Sequence, residues 1–266
     1  MYSRAELAYK FLRYWLTASN GRGHGIHSPF VFDFVIHVLR GPINDKAGFS
    51  RIEAIRKKLK KSNEKIQVSD LGAGSVKVDG EFRKLASIAR YAAKPSRFAQ
   101  LLYRVVRYFQ IDHVLELGTS LGLTTRYLAL AKPLQGVITI EGAPAIAQKS
   151  EEMFFAEGFG NIEVRCGDFG KVLPIILPQM QGRKLIFFDG NHRYSPTIDY
   201  FAQACAYAGE EDIFVFDDIH WSKDMEMAWE EIKKNKKVTC TVDLFFIGLV
   251  FFRKDFKEKQ EFAIRF

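Results

Sequence analysis

From about residue 98 onward, short apolar runs alternate along this chain with segments of helical period. "HVLELG" precedes "LTTRYLALA", and "GVITIEG" precedes "APAIAQKSEEMFFAEG". "NIEVRCGD", "KLIFFDG" and "EDIFVFDDI" are each followed by an amphipathic stretch in the same way. Continuous apolar strands bounded by polar turns, alternating with amphipathic helices, predict a parallel sheet covered on both faces. The alternation breaks near the end, where "KVTCTVDLF" and "FIGLVFFRKD" follow each other with almost nothing between them. Strands joined that tightly pair antiparallel. The expected fold is therefore α/β: a doubly wound, mostly parallel, seven-stranded sheet over residues 96–266, ending in an antiparallel hairpin.

Residues 1–95 read differently, as a helical extension. One amphipathic helix is expected from about Ala5 to Leu16. A second begins at Ser28 and Pro29, an N-cap residue followed by proline at the first helical position, and stops at Gly41 and Pro42. Between them lies the glycine-rich "NGRGHGIHSPF". This segment and the later "DLGAGS" are candidate parts of a substrate lid. The aromatic helix "YKFLRYWL" offers a surface for a homodimer.

Composition narrows the class. An apolar fraction of 47% in 266 residues supports a packed core. The most apolar stretches, "FVFDFVIHVL" and "LFFIGLVFF", are too short to span a bilayer as helices. Three cysteines, far apart and odd in number, suit reduced thiols and lack metal-ligand spacing. A soluble, cytoplasmic protein with no membrane partner is the expectation. Residues 1–95 hold 18 Lys and Arg against 8 Asp and Glu, whereas the remainder is close to neutral. A basic arm of this kind attracts phosphates or nucleic acid. A nucleic-acid-binding protein is therefore the competing reading from another class.

Two stretches resemble nucleotide loops, "VSDLGAGSVK" (68–77) and "VLELGTSLGLTT" (114–125). A cofactor loop in a doubly wound sheet needs a strand before it, a helix after it, and a second strand ending in an acid that binds ribose hydroxyls. The later loop meets all three conditions: its strand reaches Leu117, its glycines are Gly118 and Gly122, and the next strand ends at Glu141. The earlier loop is followed by a mostly helical sequence, so it fails.

This arrangement resembles the class I S-adenosylmethionine-dependent methyltransferases over residues 98–255, with a Rossmann-like sheet. Its E-L-G-T-S-L-G loop is similar to that of the catechol-type O-methyltransferases. The resemblance implies that Glu116 helps hold the methionine end of S-adenosylmethionine and that the Gly118–Gly122 backbone, with Thr119 and Ser120, passes beside it. It also implies that Glu141, followed by Gly142, takes the ribose hydroxyls, that Asp168 meets the adenine amino group, and that Phe169 packs on the ring.

The acids after the fourth and fifth strands of this core bear the chemistry. "FFDGNHRY" places Asp189 three residues before His192, and "FVFDDIHW" places Asp217 and Asp218 at the next strand end. Methyl transfer needs an acceptor oxygen that is aligned and deprotonated, which a general base or a divalent cation can provide. Asp189, Asp217 and Asp218 form a candidate Mg2+ site, Asp189 also borders the cofactor, and His192 is the candidate base. His220 is read as structural or as a support behind the site residues. Metal-dependent catechol-type enzymes carry a basic residue three after the first Asp and Asp-Asn at the next strand end. The Asp-x-x-His form here is also similar to the metal-dependent O-methyltransferases of macrolide sugars, in which that His is the base. The acceptor implied is a small molecule with a hydroxyl group; the alternative within enzymes is a metal-independent N- or O-methyltransferase.

Overall fold

A computed structural model describes residues 1–23, 26–42, 45–68, 82–91, 94–131 and 134–266. In chain order its elements are α1 (Arg4–Thr17), α2 (Pro29–Asp33) continuing as a π-helical turn (Phe34–Leu39), α3 (Lys46–Leu59), β1 (Lys65–Gln67), β2 (Phe82–Lys84), α4 (Leu85–Tyr91) and α5 (Ser96–Tyr108). The core follows as β3 (His113–Leu117), α6 (Leu123–Leu130), β4 (Val137–Glu141), α7 (Pro144–Ala156), β5 (Ile162–Cys166), α8 (Phe169–Ile176), β6 (Lys184–Phe188), α9 (Tyr194–Ala206), β7 (Ile213–Asp217), α10 (Lys223–Lys234), β8 (Cys240–Asp243), β9 (Ile247–Phe251) and β10 (Gln260–Ala263). By contacts the chain forms two units, Ile43–Ile176 and Met1–Pro42 with Leu177–Phe266.

In the unit Ile43–Ile176, β3, β4 and β5 are parallel neighbours, with Val114 opposite Val137 and Val137 opposite Ile162. α5 buries Phe98, Leu101, Leu102 and Val105, the helical spacing of one apolar face. Burying each such side chain contributes about 1.5–3 kcal/mol. Tyr103 and Tyr127 both pack on Phe49 of α3, with ring centroids 4.9 and 5.0 Å away. β1 and β2 form a small antiparallel pair, which modifies the all-helical reading of residues 1–95. The earlier loop "DLGAGS" lies outside the described residues.

In the other unit, β6 and β7 are parallel, β9 is antiparallel to both β7 and β8, and β10 is parallel to β8. The order is β10-β8-β9-β7-β6. Every residue of β6, β7 and β9 is buried, which is why these strands read as unbroken apolar runs. The hairpin β8–β9 forms as its short connection requires. The doubly wound, mostly parallel architecture holds, with eight core strands where seven were expected. The extra strand is β10, a four-residue edge segment of half-buried and exposed residues; so short an alternation carries little hydrophobic signal.

α1 starts on a capping box between Ser3 and Glu6. It docks Leu7, Phe11, Tyr14 and Ala18 on Phe245 and Phe246 between β8 and β9. α2 begins at Pro29 as the sequence signals, although the Ser28 side chain makes no capping hydrogen bond. Among the described residues, no helix is long and apolar enough to cross a membrane.

Candidate functional site

In the unit Ile43–Ile176 the glycine loop after β3 is built by backbone geometry that ordinary residues avoid. Gly118, Ser120 and Gly122 have φ of 109°, 47° and 65°. The Gly122 N–H closes the turn on the Thr119 carbonyl at 2.8 Å. A side chain at Gly122 is excluded twice, because a Cβ there would lie 2.1 Å from the Phe154 ring and the left-handed conformation favours glycine.

Two acids flank this loop. Glu141, at the end of β4, accepts the Ser120 N–H at 2.8 Å on one carboxylate oxygen and the Ala143 N–H at 2.9 Å on the other. These two donors, one on each oxygen, orient the group. Glu116 is only 1% exposed. Thr125 and Thr139 both donate to its Oε2, at 2.5 and 2.7 Å, and Thr119 shares a 2.7 Å hydrogen bond with Thr139. Burial pushes the Glu116 carboxyl up to about 7; the two threonine hydroxyls pull it down, and the like charge of Glu141 adds to the rise. Gly142 is half-buried between Glu141 and Ala143. Asp168 is exposed and caps α8, its Oδ1 accepting the Lys171 N–H at 3.2 Å, and the half-buried Phe169 opens that helix.

One supporting residue was missed in the sequence reading. Arg126 is completely buried. Its Nη1 donates to the carbonyls of Leu121 and Gly122, both at 2.8 Å, and its Nε to Glu157 at 2.6 Å. The guanidinium also lies 4.7 Å from the Phe154 ring centroid. Burial works against its charge and Glu157 works for it, with the net effect a lowered pKa. A single cation inside the otherwise apolar and small-polar α6, four residues after Gly122, was the available signal: the i, i+4 spacing carries it back over the loop.

In the other unit the parallel register pairs Phe188 with Phe216, so the next residues, Asp189 and Asp217, emerge side by side at the carboxyl edge of β6 and β7. One ligand atom from each of Asp189, His192 and Asp217 lies within 4.8 Å of the other two. The His192 Nε2 is 3.9 Å from Asp189 Oδ1. Asn191, at φ 53°, turns the chain back so that position 192 faces 189. Asp218 lies outside this group. Side chains alternate along a strand, and Asp218 turns at φ 53° with its N–H on the Phe246 carbonyl at 2.7 Å. His220 is held at both ring nitrogens, by Asp243 at 2.7 Å and Glu226 at 3.1 Å. Burial disfavours its charged form, but the two acids outweigh that and raise its pKa. With both nitrogens engaged, it joins β8 to α10 rather than facing a substrate.

The group fits a divalent cation by its chemistry. Two carboxylates and an imidazole within 4.8 Å are close to the span of ligands at ordinary metal distances of about 2.0–2.2 Å. An imidazole suits Fe2+ or Zn2+ better than Mg2+ or Mn2+, which prefer oxygen. The loop after β3 and Glu141 fit a nucleoside in the same sense: glycine backbone at close quarters, then a fixed carboxylate at the next strand end.

Residues 115–219 match a family model described as "Methyltransferase domain". No protein of curated function matches the sequence. Among solved structures, the chain is similar to an O-methyltransferase of Bacillus cereus in complex with SAH, with TM-score 0.54, 16% identity, 81% of this chain and 96% of that one covered. It is similar to the O-methyltransferase TomG of Streptomyces achromogenes, involved in tomaymycin synthesis and solved with SAM, with TM-score 0.52 and 21% identity over 61% and 82%. It is also similar to the SAH-bound methyltransferase PaMTH1 of Podospora anserina, with TM-score 0.56 and 11% identity over 96% and 98%.

Proposed function

We propose that this chain, whose residues 115–219 match a methyltransferase-domain model, is a class I S-adenosylmethionine-dependent methyltransferase that methylates a hydroxyl group of a small molecule. The observation that carries the O-methyl reading is the gathering of Asp189, His192 and Asp217 at one strand edge, since binding a cofactor alone needs no such trio.

Glu141, held by two backbone N–H groups, receives the ribose hydroxyls, and the Gly118–Gly122 turn accommodates the methionine portion beside Glu116. Asp168 and Phe169 border the adenine. The S–CH3 bond of the sulfonium breaks as the C–O bond to the acceptor forms, and the hydroxyl proton must leave. His192 takes that proton, and Asp189, 3.9 Å from its Nε2, stabilises the imidazolium that results. Asp189 and Asp217 would hold a divalent cation, which when bound lowers the pKa of a coordinated hydroxyl. Mg2+ or Mn2+ suits the two carboxylates and leaves the His192 nitrogen for the proton. Residues 1–42 group by contacts with the strands bearing the trio, which supports a part for this segment in acceptor binding.

The test is calorimetry with S-adenosylhomocysteine alongside turnover on a panel of catechols and hydroxylated sugars, with and without EDTA. Glu141→Ala should weaken binding at least about tenfold, the loss of two charge-assisted hydrogen bonds; unchanged affinity would remove Glu141 from the cofactor site. His192→Ala should leave that affinity unchanged and lower kcat by about 10²–10⁴. Full turnover by this variant across the pH range would eliminate His192 as base, and activity indifferent to EDTA would leave the cation out.

A further inference from the structure

We propose that the unit formed by residues 1–42 and 177–266 holds a second ligand site, a basic pocket that binds a phosphorylated small molecule with an apolar or aromatic body. A cavity of about 490 Å3 is lined by Trp15 on α1, Asn20 and Arg22 in the following loop, Arg40 after the π-helical turn, and Arg265 and Phe266 beyond β10. It takes in the start of the "NGRGHGIHSPF" stretch, Asn20 to Arg22.

The three arginines stand on one frame built from distant parts of the chain. Ser19 pairs with Ile264, the Ser19 N–H bonding the Ala263 carbonyl at 2.8 Å and the Arg265 N–H the Ser19 carbonyl at 3.1 Å. Asn20 Oδ1 accepts the Arg22 N–H at 3.0 Å, tightening the turn. Gly23 completes it at φ 87°, packed so closely on Phe32 that a Cβ would lie 2.8 Å from the ring. Arg40 Nε donates to the Gly21 carbonyl. Gly21 leaves no room for a side chain, because a Cβ would meet the Arg265 carbonyl oxygen at 2.1 Å.

Charge identifies the ligand. No Asp or Glu side chain is among the described residues that line the cavity. Among the described residues, none of these three arginines forms a salt bridge. The Arg265 Nε is buried with no acceptor, and its guanidinium lies 5.5 Å from the Trp15 ring centroid. A buried donor without an acceptor is costly, and three guanidiniums around one space repel each other. A phosphate monoester answers both, bringing a charge of about −1.5 to −2 and three strong acceptor oxygens, which guanidinium forks match well. The cavity is far larger than one phosphate, and Trp15 and Phe266 give the rest an aromatic wall, so the ligand has an organic body. β10 lies three strand positions from β7 in the sheet order. At about 4.8 Å per strand that is roughly 14 Å, too far for one phosphate to reach both this pocket and Asp217.

Isothermal titration of the full chain with phenyl phosphate, inorganic phosphate and phenol tests this directly. Phenyl phosphate should bind one to one and more tightly than inorganic phosphate, phenol should give no heat, and affinity should fall as NaCl is raised. Arg22→Gln with Arg40→Gln should weaken phenyl phosphate at least about tenfold without changing S-adenosylhomocysteine binding. Arg22→Gln alone alters an exposed side chain that makes no hydrogen bond among the described residues, and it should show a smaller loss in the same direction if the double variant unfolds. No saturable binding at millimolar phenyl phosphate, or affinity indifferent to both variants, would overturn the proposal. So would arginine-dependent capture of a single-stranded oligonucleotide by a chain that ignores phenyl phosphate, which would make this a nucleic-acid surface.

Discussion

Gly122→Ala measures how far the glycine loop depends on glycine, and Gly158→Ala supplies its control. Both glycines have similar backbone conformations, φ 65° and 73°. Alanine in the left-handed region costs about 1–2 kcal/mol at either position. At Gly158 nothing lies within 4 Å of an added Cβ, whereas at Gly122 the Phe154 ring lies at 2.1 and 2.4 Å and Arg126 Nη1 at 3.1 Å. Phe154 is 2% exposed and has little room to retreat, so overpacking adds about 1–3 kcal/mol at Gly122 alone. The expected losses are then about 1–2 kcal/mol for Gly158→Ala and about 2–5 kcal/mol for Gly122→Ala. At about 2–4 °C per kcal/mol, the two melting midpoints should differ by roughly 2–12 °C. Differential scanning calorimetry reads the midpoints, and titration with S-adenosylhomocysteine should show weaker binding for Gly122→Ala only. Equal midpoints for the two variants would refute the steric argument. Equal cofactor affinity in both would refute the placing of the cofactor at this loop.

Arg126→Met should destabilise the chain by about 3 kcal/mol, because it strands the Leu121 carbonyl and leaves Glu157 without its partner; chemical denaturation with an unchanged midpoint would show that Arg126 holds nothing. Glu116 has a folded pKa raised to about 7 from 4.5, so its contribution is fully present below about pH 4.5 and is lost as pH rises through about 7. Glu116→Gln should therefore gain stability relative to the parent between pH 5 and pH 8. A melting difference independent of pH would mean that the carboxyl is not held protonated. The losses expected for Glu141→Ala and His192→Ala separate cofactor binding from proton removal, since only the first should change affinity for S-adenosylhomocysteine.

Much of this was legible in the sequence because it is local. Unbroken apolar runs such as "KLIFF" and "IFVFD" signal strands buried on both faces, and those are β6 and β7. Gly118 and Gly122 were identified by their spacing from a strand and a helix. Both take positive φ there, a property of single residues that a glycine's position can signal. β10 escaped because an edge strand of four residues lacks enough pattern to stand out. The pair β1–β2 escaped because three-residue strands have no periodicity to read.

What the sequence by itself determined was the alternation of elements, and with it the doubly wound sheet and the acids at its strand ends. Hydrophobic period and turn chemistry act over a few residues and need no knowledge of the rest. Only the tertiary structure decided which of those groups meet. Register across β6 and β7 set Asp189 beside Asp217, while strand alternation and a left-handed turn put Asp218 elsewhere. Contacts 31 to 249 residues apart seat Arg126 on Glu157 and Arg265 on the Leu16 carbonyl. Side-chain partnership depends on through-space distance, and the order of residues along the chain does not contain it.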